Sequence, residues 1–107
     1  MTALNSNLLV HGDKTTVRLE GALDMAATDD LIALAGVATS RAEMRTLILD
    51  MGGVEFMDSM GLASLVRTRK MCADAGAVLE LRCLQPRVRH VLALTGLAEW
   101  FSLDEVG

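Results

Sequence analysis

Hydrophobic and polar positions change period several times along the chain, and each change marks an element. Leu8-Leu9-Val10-His11 is a short apolar run that stops at Gly12-Asp13-Lys14. That order predicts a strand and a hairpin turn. Thr15-Thr16-Val17-Arg18-Leu19-Glu20 alternates and opens on β-branched residues, so it is expected to pair back as a second strand. Gly21-Ala22-Leu23 carries the chain onward. From Asp24 the period lengthens. Met25, Thr28, Leu31, Ile32, Ala35 and Val37-Ala38 approximate a 3.6-residue stripe, which predicts a helix to about Ser40. Asp24 is its expected N-cap, and Asp29 and Asp30 suit the positive end of its dipole.

Thr46-Leu47-Ile48-Leu49-Asp50-Met51 is close to a continuous apolar run, the pattern of a strand covered on both faces. Gly52-Gly53 is expected to break it. Val54-Glu55-Phe56-Met57 then forms a second extended piece leading to Asp58. From Ser59 to about Ala75 the spacing is helical, with Leu62, Leu65, Val66, Arg69, Cys72 and Ala73 on one side and Gly76 as the stop. Ala77 to Leu84 reads as a strand. Gln85-Pro86 opens a helix with proline in its first turn, with Val88, Val91, Leu92 and Leu94-Thr95 as its apolar side and Gly96 at its end. Leu97 to Leu103 is expected to close the domain as a short turn and an edge segment.

Strand and helix alternate, so the fold class is α/β with a mostly parallel sheet, one domain spanning 1–107. In such sheets, sites gather where strand C-termini meet helix N-termini. Asp24 and Asp58-Ser59 both fall at such ends.

Composition sharpens this picture. The 107 residues are 51% hydrophobic but only 3% aromatic, so the core must be built from Leu, Val, Ile, Ala and Met. A formal net charge of -4 argues against direct binding to nucleic acid or an anionic membrane. Cys72 and Cys83 lie in apolar segments without C-x-x-C spacing and are expected to be free core thiols. The first residues show neither a basic region nor an apolar one, and no stretch approaches about 18 uncharged apolar residues. A cytoplasmic protein is expected.

Ser59 is the leading candidate for chemistry. As a simple capping neighbour it needs no further explanation, since Asp and Ser are both favoured at helix starts. On a strand-end loop, however, its hydroxyl is open to a kinase, and the helix start tolerates a phosphate. Nucleophilic catalysis is not indicated: Ser59 lacks a G-x-S-x-G frame, and His11 and His90 read as surface residues. Asp50, at the end of the central strand, invites comparison with the phospho-acceptor of receiver domains. The acidic pair and the late lysine that such a site needs are missing. No phosphate-cradling glycine motif occurs, and neither a cofactor nor a metal is expected. Of the methionines, Met60 and Met71 are placed on the outward side of the Ser59 helix, where they offer an adaptable docking face.

At Phe56-Met57-Asp58-Ser59-Met60-Gly61-Leu62 the chain resembles the STAS domains of bacterial anti-sigma-factor antagonists. Gly21-Ala22-Leu23-Asp24, Leu47-Ile48-Leu49-Asp50-Met51, Pro86-x-Val88 and Thr95-Gly96-Leu97 add weaker matches along nearly the whole chain. The resemblance implies a four- to five-stranded mixed sheet with helices packed mainly on one face. It also implies that the unmodified protein binds an anti-sigma factor, a serine kinase of the GHKL type, and so frees a sigma factor. Phosphorylation on Ser59 would end that binding, and a serine phosphatase would restore it. Asp24, Asp58, Ser59, Met60, Gly61, Arg67 and Met71 form the expected partner-binding set. Many members carry Ser or Thr where this chain has Met60. That departure leaves a second function open, an unphosphorylated STAS module of a transporter or lipid-transport complex. An enzyme or phosphoryl relay using Asp50 is the third.

Overall fold

The structure, a computed structural model, describes residues 4–97 and 101. Its strands are β1 (Asn5–His11), β2 (Lys14–Leu23), β3 (Thr46–Met57) and β4 (Val78–Arg82). They form one four-stranded sheet in the order β1-β2-β3-β4. β1 and β2 are antiparallel and joined at Gly12, whose φ of 64° is one that glycine adopts without penalty. β2, β3 and β4 are parallel, linked by helices α1 (Thr28–Thr39) and α2 (Ser59–Asp74), and α3 (Pro86–Leu94) follows. The sheet is therefore mixed.

Strand alternation sorts the two faces. Val17, Leu19, Leu47, Leu49 and Leu79 point into one apolar cluster, to which the helices contribute Leu31, Leu65, Cys72, Val88 and Leu92. Thr16, Arg18, Asp50 and Arg82 alternate with them onto the opposite face, and Arg18, Asp50 and Arg82 lie side by side across three strands. The opposite face is not wholly polar: Ile48, the register partner of Thr16, lies on it and is buried.

Several sequence expectations need correction. β3 does not break at Gly52-Gly53. It continues to Met57, and the pairing with β2 absorbs the extra residues at two register shifts, between Arg18 and Glu20 and between Gly21 and Ala22. These are β-bulges, which bend a strand without ending it. Gly53 is required there: a Cβ would stand 2.7 Å from the Leu19 carbonyl oxygen. The first helix begins as a 3-10 turn, Met25–Ala27, before α1. Met25, Val37 and Leu94, assigned to buried stripes, are exposed. On α2 the buried stripe is Gly61, Ser64, Leu65, Thr68 and Cys72, while Ala73 is exposed. Ser64 and Thr68 tolerate burial because each hydroxyl donates to a carbonyl of its own helix, Gly61 O at 2.6 Å and Ser64 O at 2.8 Å. Cys72 is a core thiol, but Cys83 is exposed. Of the segment Leu97 to Leu103, only Leu97 and Phe101 are among the described residues, and the Phe101 N–H donates to Leu97 O at 3.0 Å. The remainder of the expected turn and edge segment lies outside them.

Candidate functional site

Leu23 and Met57 are register partners, so β2 and β3 end side by side. Each strand passes at once into an aspartate that starts a helical element. Asp24 caps the 3-10 turn, its Oδ1 accepting from the Ala27 N–H at 3.2 Å. Asp58 caps α2, its Oδ1 accepting from the Gly61 N–H at 2.8 Å. Both have the extended backbone of an N-cap. The second Asp58 oxygen reaches across and accepts from the Met25 N–H at 3.2 Å. One carboxylate thus ties the two helix starts together.

Ser59 follows as the first residue of α2 and is exposed. Its side chain stands beside a carboxylate held by two backbone donors, at the positive end of a 16-residue helix. Met60, the next residue, is 45% exposed, Met25, whose N–H is held by Asp58, is 70% exposed, and Phe56, three residues before Ser59 on β3, is 45% exposed. Met25 and Phe56 escaped the sequence reading. Met25 matched the helical stripe, and Phe56 lies where a bulge shifts the strand's alternation.

Other members of the expected set are placed differently. Gly61 is buried, and a Cβ on it would collide with the Leu23 carbonyl oxygen. It offers a partner no surface; its lack of a side chain lets α2 close on the end of β2. Arg67 is exposed two turns along α2, about 12 Å from Ser59 at 1.5 Å per residue. Met71 is only half-exposed, because it leans on α1, its methyl 3.9 Å from where a Gly36 side chain would begin. Asp50 turns onto its own strand, its Oδ1 accepting from the Gly52 N–H at 3.0 Å. His11 and His90 are both exposed. Among the described residues no group of three or more His, Cys, Asp and Glu is placed to hold a metal ion, and no helix is long and apolar enough to cross a membrane.

A small mixed sheet backed by helices, with an aspartate N-cap and an exposed serine where β3 passes into α2, defines an α/β domain. The chain belongs to the STAS domain family, whose model matches residues 5–106. It is 31% identical over 93 residues to the anti-sigma F factor antagonist of Lysinibacillus sphaericus, covering 86% of this chain and 79% of that protein. Its fold matches the solved structure of the anti-sigma factor antagonist SpoIIAA in its unphosphorylated form, with TM-score 0.76, 26% identity, and coverage of 90% of this chain and 84% of that one. The phosphorylated form of SpoIIAA, described as a Bacillus cell fate determinant, matches with TM-score 0.69 and 25% identity over 90% of this chain and 87% of that one.

Proposed function

We propose that this protein is an anti-sigma-factor antagonist whose unmodified form binds a GHKL-type serine kinase acting as anti-sigma factor, and that phosphorylation of Ser59 turns that binding off. The observation that carries this reading is the exposed Ser59 at the start of α2, directly after the Asp58 carboxylate that two backbone N–H groups hold in place. The kinase transfers the γ-phosphoryl group of ATP to Ser59 Oγ with release of ADP, and a serine phosphatase reverses the modification. The protein itself acts by binding, not catalysis, and works in the cytoplasm.

The physics of the switch is local. A phosphate adds about -1.5 to -2 charge. Asp58 cannot swing away without giving up its bonds to Gly61 and Met25, so the new anion stands next to an existing one. Pressed under a partner, an unmatched anion costs several kcal/mol. About 4 kcal/mol is a thousandfold in affinity. The names of the relatives, an anti-sigma F factor antagonist and SpoIIAA in two phosphorylation states, support the reading.

Incubation with the cognate kinase and radiolabelled ATP tests it. The label is expected on Ser59 alone, and Ser59→Ala is expected to remain unlabelled. Equal labelling of the two overturns the assignment. Recovery of transporter or lipid-transport subunits without a kinase would instead identify an unmodified module.

A further inference from the structure

β1 forms the edge of the sheet far from α2 and β4. Among the described residues β1 pairs with β2 on one side only, and its other side is the sheet edge. All seven of its residues are exposed, whichever way their side chains point. Leu8 and Val10 share the helix-side face with Val17 yet are each 41% exposed, so the helix layer stops short of β1. Leu9, on the opposite face, is 68% exposed. Proteins usually guard an edge strand with charge, proline or a bulge. Asn5–His11 contains no Asp, Glu, Lys, Arg or Pro, and its register with β2 is unbroken. The other edge, β4, is shorter and carries Glu80 and Arg82.

We propose that β1 pairs with β1 of a second copy of this chain, antiparallel about a two-fold axis at Leu9, joining two four-stranded sheets into one of eight strands. The strand's own order selects that occupant. A two-fold axis perpendicular to the sheet sets like faces beside like faces. With the axis at Leu9, Leu9 meets Leu9, Leu8 meets Val10 and Asn7 meets His11. Every exposed apolar side chain of the strand gains an apolar neighbour, and the polar residues flank them. With the axis at Leu8, Ser6 would meet Val10 and Asn7 would meet Leu9. The net charge of -4 makes two copies repel, but this strand brings no acidic group to the seam.

Seven residues a side is well below the roughly 20–30 of a standard interface, so the dimer is expected to dissociate on dilution. Ser59 follows β3, two strands in from the seam, and antiparallel pairing sends the two serines to opposite ends of the joined sheet. The dimer therefore leaves Ser59 open, and it stands or falls independently of the phosphorylation reading.

Sedimentation equilibrium of the full chain from about 10 μM to about 1 mM tests the pairing. The weight-average mass is expected to climb from one chain toward two. Leu9→Lys, which sets two like charges on the axis, is expected to raise the dissociation constant at least about tenfold with an unchanged circular dichroism spectrum. In a Cys83→Ser background, oxidation of Leu9→Cys is expected to give a covalent dimer, and Asn5→Cys none. A chain that stays monomeric throughout, including one that captures a strand of another protein instead, overturns the proposal. So does a dimer that Leu9→Lys leaves intact.

Discussion

The Met25 N–H donates to Asp58 Oδ2 at 3.2 Å, joining two residues 33 apart in sequence and the starts of two successive helical elements. The other Asp58 oxygen caps α2 through the Gly61 N–H. Asp58 is therefore a structural residue as well as a charged neighbour of Ser59. Asp58→Ala leaves both N–H groups without this partner and is expected to cost about 1–2 kcal/mol. Asp58→Asn keeps one acceptor for the cap and should cost less. Urea unfolding of the three proteins checks the order.

Gly61 is the second fixed point of the same corner. Gly61→Ala sets a methyl against the Leu23 carbonyl, which is backbone and cannot turn aside. A loss of about 1–3 kcal/mol is expected. The neighbouring exposed substitution Met60→Ala is expected to stay within about 0.5 kcal/mol. Thermal unfolding of both variants makes the comparison, and equal effects would contradict the close packing.

Ser59→Asp separates the fold from the interface. An anion in the first turn of α2 is favoured by the helix dipole and opposed by Asp58, so the net change in stability is expected to stay within about 1 kcal/mol. Partner affinity is expected to fall, though less than with phosphate, because aspartate brings one charge and fewer oxygens. Parallel unfolding and calorimetric titrations check both halves.

The two thiols are expected to behave differently. Burial pushes the Cys72 thiol from 9.0 up to about 11, while Cys83 is exposed. Iodoacetamide at pH 8 should modify Cys83 in the folded protein and reach Cys72 only on unfolding. The sign of the linkage follows. Between about pH 9 and 11 the unfolded chain loses the Cys72 proton and the folded chain holds it, so this group's contribution to stability is present below pH 9 and lost as pH rises toward 11. Unfolding of Cys72→Ala across that range should lack this component.

Much of the fold was legible because its signals are local. The alternation of Thr15 to Glu20, the run Thr46 to Met51, proline at the head of α3 and aspartate at both helix starts need no knowledge of the partner element. What escaped depends on a neighbour. Gly52-Gly53 looks like a stop until β2 stands beside it and the pair becomes part of a bulged strand. Ser64 and Thr68 look like surface residues until their hydroxyls are seen bonded to their own helix. At the site, Ser59 and its capping aspartate could be read from sequence. The buried role of Gly61 and the lean of Met71 onto α1 could not, because both are set by distances between elements.

The switch is tested most directly by titrating the purified kinase with unmodified protein and with protein phosphorylated on Ser59. The unmodified form is expected to bind, and the phosphorylated form to bind on the order of a thousandfold more weakly. Equal affinity of the two forms would contradict the central claim that charge added at Ser59 ends the interaction.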